Sequence, residues 1–281
     1  MATATTPNVR LSSPPPAVGR AGLRGALASE FTKLRSVRST YWALGALVIV
    51  SIGVGALVMG GESNSLMHNP GNRAGFDGTQ VSLIPFFEIG QLIIGVLGAL
   101  TITSEYSNQS IRTSLTVMPR RGVLFGAKAA VFTAVAAVTA IVASFASFFI
   151  GQRLLASTHA AATLSTPRAL QAVVMTAMFV VLCGLFAYGL GAVLRNTAGT
   201  ITAAYGFLFL LPQLAKALDP TWYYDLVRWL PGGDFVALIT SSSAGQPVAH
   251  MFSAWTEMGI FAAYVVVLLA LGASALRTKD A

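Results

Sequence analysis

Residues 169–194 read ALQAVVMTAMFVVLCGLFAYGLGAVL and contain no Asp, Glu, Lys, Arg or His. Wound as an α-helix at 1.5 Å per residue, the stretch is about 39 Å long, enough to cross the roughly 30 Å hydrocarbon core of a bilayer. Its apolar residues do not alternate with polar ones, as a strand of a membrane barrel would require. A helix also satisfies its own backbone hydrogen bonds in lipid, which a lone strand cannot do. Further apolar runs complete a set of six spans at 41–59, 83–102, 129–150, 169–194, 198–218 and 255–276. Pro212 and Lys216 fall in the fifth, where a kink and a snorkelling side chain accommodate them.

Composition agrees with an all-α integral membrane protein. Hydrophobic residues make up 54% of the chain and charged residues 10%, against about 25% charged in soluble domains. No cleaved signal peptide is expected, since the first apolar run begins only at Tyr41 and lacks the secretory pattern before it. Cys183 is the single cysteine and lies inside a span, so a disulfide framework is excluded within one chain. The net charge of +8 is spread along the flanks of the spans. That distribution fits lipid headgroups or a protein partner, and not nucleic acid.

Six crossings place both termini on one side. With that side cytoplasmic, thirteen of the 18 Lys and Arg residues are inside, leaving Arg73, Arg153, Arg168, Lys216 and Arg228 outside. The inverted orientation would reverse the positive-inside bias. Residues 1–22 are Pro- and Ala-rich and are expected to be a disordered cytoplasmic tail. From 23 to 38 the pattern becomes amphipathic: Leu23, Leu27, Phe31 and Leu34 share a helical face, with Arg24, Lys33 and Arg35 away from it. This segment reads as an interfacial elbow helix, or more simply as an anchor for the first span. Glu30 intrudes on its apolar arc and requires a partner.

Small residues recur four apart at Ser51 and Gly55, at Gly95 and Ala99, and at Cys183, Ala187 and Gly191, a spacing that lets helices approach closely. Chemical motifs are lacking. His68, His159 and His250 lie far apart in predicted external segments, with no HExxH or GxSxG pattern and no metal-ligand set. The GVLFGAK stretch at 122–128 has the wrong spacing for a phosphate loop and lacks the Ser or Thr after its lysine. The chain therefore shows no nucleotide-binding motif and is not expected to be an enzyme or to bind a cofactor itself.

The most informative polar stretch links the second and third spans: SEYSNQSIRTSLTVMPRRGVLFGAK, residues 104–128. Glu105 reads as opening a short helix, Ile111 and Leu115 share a face, and Pro119 with two arginines closes it. A short helix held between two spans can pass force from a soluble partner to the bundle; a solvated basic loop is the plainer alternative. Together with LASEFTKLRSVRSTYW at 27–42, the segment EYSNQSIRTSLTVMPRR at 105–121 resembles the permease subunits of type-2 ABC exporters, particularly the small six-span actinobacterial kind. The likeness extends over most of the chain from Leu23 onward.

That resemblance implies an elbow helix at 23–38 and a cytoplasmic coupling helix within 104–121 that seats in a separately encoded ATPase. It makes Glu105, Tyr106, Ile111, Arg112, Thr113, Pro119 and Arg120 the coupling candidates, with Glu30, Lys33 and Arg35 beside them on the elbow. It also implies two permease copies and two ATPase subunits carrying ATP and Mg, in a bacterial plasma membrane. The external connection at 219–253 resembles the family's re-entrant segment: RWLPGGDFVALI at 228–239 can dip into the membrane and return at Pro231, Gly232 and Gly233. Trp222, Tyr223, Tyr224 and Trp229 fit this segment or an ordinary aromatic belt equally well.

Glu88 lies inside a span about two turns below Ser82. A carboxylate at that depth is costly unless it meets water, a partner or a proton, which marks it for gating, the substrate path or a structural role. Glu257, near a span end, reads as interfacial. The leading expectation is an export permease for a hydrophobic small molecule such as a drug, antibiotic, lipid or peptide. A secondary transporter or channel is the runner-up, although such proteins usually show related halves and broken midplane helices.

Overall fold

The computed structural model describes residues 23–73, 75–107, 121–215, 220–232, 239–240 and 252–278. The expected tail at 1–22, the coupling stretch from 108 to 120, Lys216, and most of 233–251 lie outside the described residues. Within them the chain is helical, with no strand. α1 covers Leu23–Ser36, and Val37, in extended conformation, breaks it from α2, Arg38–His68. α3 is Gly78–Ser107, α4 Arg121–Leu155 and α5 Ala169–Leu194. α6 runs Thr197–Ala215, α7 is Pro220–Val227 and α8 is Ala254–Thr278. Six of these, α2 to α6 and α8, are long and apolar enough to cross a membrane.

The spans are longer than the apolar runs alone indicate: α2 has 31 residues and α4 has 35. Polar residues such as Glu62 and Gln152 continue these helices, because helix geometry does not end where hydrophobicity does. All four tryptophans, Trp42, Trp222, Trp229 and Trp255, are exposed at or near helix ends, where an amphipathic ring suits the headgroup level.

α3 and α5 form the centre of the bundle, each more buried than its neighbours. Their closeness depends on glycine. A Cβ on Gly98 would collide with the Gly184 carbonyl, and one on Gly184 would stand 2.6 Å from Ile94 Cγ2. Cys183 and Ala187 are buried on the same helix, and Gly191 is pressed against Ile102 and Thr103. On the opposite side Gly189 receives Leu268 of α8. Above the glycine crossing, Phe87 stacks on Phe179 at 4.6 Å, and Phe179 meets Phe261 of α8 at 5.0 Å. Lipid tails are as apolar as these side chains, so close packing and interhelical hydrogen bonds hold the spans together where hydrophobicity cannot.

The fifth span departs from regular α-helix just before Pro212. Gly206–Leu210 is a π-helical turn in which the Leu211 N–H reaches back to the Gly206 carbonyl. Pro212 has no N–H to donate and crowds the preceding turn, so a widened turn just before it relieves the clash. Pro85 sits inside α3, which starts at Gly78 and so places Glu88 ten residues, about 15 Å, below the helix start, deeper than a count from Ser82 gives.

At the end of the bundle where α3 begins, neutral groups tie the helices. Gln152 of α4 donates to the Gly78 carbonyl at 2.9 Å and the Ser82 hydroxyl at 2.8 Å, and accepts the Ala162 N–H at 2.6 Å. Asp77 caps α3 by accepting from Thr79 and Gln80. The connection between α6 and α8 contributes at this end too. Ile239 is fully buried in the cluster containing Phe87, Phe179 and Phe261. Gly232, with φ of +71°, stands where a Cβ would come 2.8 Å from Phe179 Cζ. Glu257, in the first turn of α8, is buried in the bundle and not at its surface.

Replacing Gly184 by Val is expected to cost about 1–3 kcal/mol or prevent assembly through overpacking. Ala at Gly53, where nothing lies within 4 Å, should be neutral. Thermal unfolding of the two variants in detergent, followed by size-exclusion homogeneity, checks the contrast.

Candidate functional site

The densest group of charges lies at the other end of the bundle, where α1, the end of α3 and the start of α4 meet. Lys128 Nζ stands 2.8 Å from Glu30 Oε2 and 2.7 Å from Glu105 Oε1. Lys33 Nζ is 2.9 Å from Glu30 Oε1 and 3.6 Å from Glu105 Oε1. Two carboxylates and two ammonium groups thus close a square without net charge.

Small residues make this approach possible. Ala26, one turn before Glu30, packs on Ala127 beside Lys128, with Leu27 and Val123 at the edges. Only a pair of methyl groups separates the helices there, so the longer side chains beside them are forced into mutual reach. The docked face of α1 is consequently turned about one residue from the face expected. Ala26 and Glu30 are buried, Leu27 and Leu34 partly so, and Phe31 is 52% exposed.

Glu105 does not open a new helix. It belongs to the last turn of α3, which ends at Ser107. A carboxylate at a helix C-terminus opposes its own helix dipole, and Lys128, two turns into α4, is a largely buried cation. Each is tolerable because it neutralises the other, and Glu30 completes the neutralisation. Burial alone would push the Glu30 carboxyl upward, but Lys128 and then Lys33 outweigh it and hold the group below its ordinary value. For Lys33, partial burial opposes the charge while Glu30 and Glu105 raise the ammonium above its ordinary value.

A second layer carries these contacts across the bundle. The ring of Tyr106, next to Glu105, lies under the Arg195 guanidinium at 5.1 Å. Arg195 follows α5 in left-handed conformation, with φ of 56°, and its Nη2 donates to the Ala275 carbonyl in the last turns of α8 at 3.0 Å. Asn196 then caps α6 by accepting the Gly199 N–H at 2.7 Å, and Thr197 donates to Thr103 of α3 at 2.8 Å. Tyr188 of α5 donates to the Phe125 carbonyl of α4 at 3.0 Å. Lys128 ties the start of α4 and the end of α3 to α1, and Arg195 ties the end of α3 to α8.

Of the residues expected to form the site, Glu30, Lys33 and Glu105 are brought together, and Tyr106 lies next to them in the Arg195 layer. Arg35 stands exposed on α1. Ile111, Arg112, Thr113, Pro119 and Arg120 lie outside the described residues. Glu88 is remote, beyond the glycine crossing. Lys128 and Arg195 were read only as loop charges. The signal for Lys128 was its position at the edge of an apolar run, where a lysine needs a counter-charge, opposite a Glu30 that also needed one. Arg195 had no such signal, because its partners come from α3 and α8. Among the described residues, no three His, Cys, Asp or Glu side chains gather to hold a metal.

Lys128→Met leaves Glu30 and Glu105 sharing only the more exposed Lys33 and is expected to cost about 1–3 kcal/mol. Disulfide cross-linking between A26C and A127C, in a C183S background, should fall with it. The pH dependence has a defined sign. The Glu30 contribution is complete above the ordinary value of 4.5 and is lost as pH falls through the lower folded value. That of Lys33 is complete below 10.5 and is lost as pH rises through the higher folded value. Cross-linking yield, with thiol reactivity measured in parallel, should thus be flat through neutrality and drop in strong acid.

The family described as ABC-2 family transporter protein matches residues 26–214, about two thirds of the chain. No curated protein matches it.

Proposed function

The chain belongs to the ABC-2 transporter family, and from that premise we propose that it is the permease of an ATP-driven exporter whose ATP, with Mg, is hydrolysed by a separate subunit. A multi-pass membrane component of such a transporter needs a place where the partner's motion enters the bundle. The observation that carries the proposal is the charge square of Glu30, Lys33, Glu105 and Lys128. It lies at the two helix ends between which residues 108–120 run, and it binds α1 to both. Rigid connection at this point converts a push on that segment into movement of spans.

In this reading the basic end faces the cytoplasm of a bacterial cell, the stretch at 104–121 seats in the ATPase, and α1 lies in the inner headgroup layer. Ile111, Arg112, Thr113, Pro119 and Arg120 contact the partner, while Glu105 and Tyr106 pass the load inward. Two copies of the permease with two ATPase subunits form the exporter. The cargo is a small molecule with substantial apolar surface, in keeping with a bundle that has few charges between its ends.

Coexpressed with its ATPase, the permease should recover that subunit on purification, and Arg112→Ala should reduce recovery about tenfold, as expected for loss of one charged contact. Glu105→Gln should lower coupled transport more than assembly. Undiminished assembly and transport in both variants would overturn the coupling assignment. Gradient-driven flux in vesicles lacking any ATPase would favour a secondary transporter instead.

A further inference from the structure

We infer that the exposed face of α1 and the foot of α2 bind acidic phospholipid headgroups, with Arg24, Arg35 and Arg38 taking the phosphates. The inference rests on the reading that α1 lies in a headgroup layer, and it adds which lipid is held there.

α1 has two faces. Ala26 and Glu30 turn toward α4 and are buried, whereas Arg24, Ala28, Phe31 and Arg35 are exposed. The spacing of 24, 28, 31 and 35 puts these four on one stripe of the helix. Phe31, 52% exposed, therefore stands between two guanidinium groups. A headgroup layer accommodates both kinds of side chain: the ring enters the acyl boundary and the guanidinium groups stay with the phosphates.

The foot of α2 repeats the pattern along the helix. Arg38, Trp42 and Ile49 fall on one side of it, with Trp42 79% and Ile49 73% exposed. The opposite side, at Leu47 and Ser51, is buried. Over about 16 Å the exposed flank passes from an aliphatic side chain through an indole to a guanidinium. A phospholipid passes in the same order from acyl chain through ester level to phosphate.

Charge selects the kind of lipid. Among the described residues Arg24, Arg35 and Arg38 form no ion pair, and the nearby acids Glu30 and Glu105 are already engaged by Lys33 and Lys128. Residues 1–22 and 108–120, which adjoin this end, contain no Asp or Glu, and 279–281 contribute Asp280 beside Lys279. The same segments add Arg10, Arg20, Arg112 and Arg120. Their one acidic side chain cannot neutralise the three exposed arginines, however the segments lie. Guanidinium pairs bidentately with phosphate and keeps its charge throughout the physiological range. A zwitterionic lipid brings its own ammonium group with its phosphate and leaves the excess uncompensated. An acidic lipid such as phosphatidylglycerol cancels it.

Trp42 is a local reporter. The full chain carrying Trp222→Phe, Trp229→Phe and Trp255→Phe is reconstituted in vesicles of equal phosphatidylcholine and phosphatidylglycerol, with one lipid or the other brominated in its acyl chains. Quenching of Trp42 then gives the relative occupancy beside it. Phosphatidylglycerol should be preferred at least about fivefold, the factor expected of a single basic residue at an acidic surface. Arg24→Gln, Arg35→Gln and Arg38→Gln together should bring the ratio close to one, and the three Lys replacements should retain most of it. Arg153→Gln with Arg168→Gln, exposed arginines at the opposite end, should leave it unchanged. Phosphatidylglycerol carried through mild extraction by the permease–ATPase complex should fall in parallel with the triple Gln variant, while the A26C–A127C cross-link forms as before.

Equal quenching by the two lipids would overturn the inference and leave the placement of α1 intact; no quenching by either would overturn the placement with it. A preference kept by the triple Gln variant, or lost equally with Arg153 and Arg168, would also overturn it. So would a preference lost only together with the cross-link, which marks a folding role. If the triple Gln variant keeps the preference but no longer recovers the ATPase, the face belongs to that subunit and the inference fails. The quenching arm contains no ATPase, so the export reading stands or falls separately.

Discussion

A lysine wedged between two carboxylates from different helices governs the basic end of the molecule. Lys128 meets Glu30 and Glu105 at under 3 Å each, and Lys33 closes the square from its more exposed side. Buried ion pairs contribute little net stability compared with apolar packing of equal volume, and they penalise every arrangement that separates them. The square therefore specifies position more than it adds strength. It fixes where α1 docks, and it makes the end of α3 and the start of α4 a single mechanical element.

Beyond that end, the bundle is ordered by the absence of side chains as much as by their presence. Gly98 and Gly184 let α3 and α5 touch along their backbones, and Gly189 admits α8. The aromatic residues fill what the glycines leave: Phe87, Phe179 and Phe261 in one group, Phe186 against Phe207 in another. Close contact of this kind transmits displacement well, since no soft layer separates one helix from the next. The ion square and Arg195 thus join the same close-packed centre as the glycine crossing.

The number and approximate position of the spans were legible from hydropathy because lipid imposes one requirement on every residue of a crossing. The small-residue series at 183, 187 and 191 was legible for a similar reason, since spacing of four marks one side of a helix. Gly98 and Gly184 were not singled out, because their meeting depends on how two distant helices cross. Glu30 announced its need for a partner, but Lys128 is separated from it by almost a hundred residues, and pairing over that distance leaves no periodic trace. Glu105 was placed at the wrong end of a helix. The polar residues after Thr103 look like the start of something new, yet α3 continues through them to Ser107, where Lys128, Lys33 and Arg195 meet its last turn. The turn of α1 by one residue has the same origin: Ala26 and Ala127 decided the face, and the bulkier Phe31 gave way.

The widened turn at Gly206–Leu210 makes the fifth crossing a jointed rod. Its foot is pinned by Thr197 to Thr103 and its shaft by Tyr205 to the Leu92 carbonyl, both below the joint. Above it, Pro212 supplies no backbone donor, so the ordinary ladder is already interrupted where a bend would fall. The segment after the joint is thus held by fewer backbone hydrogen bonds than the one before it, and side-chain packing carries a larger share of its placement.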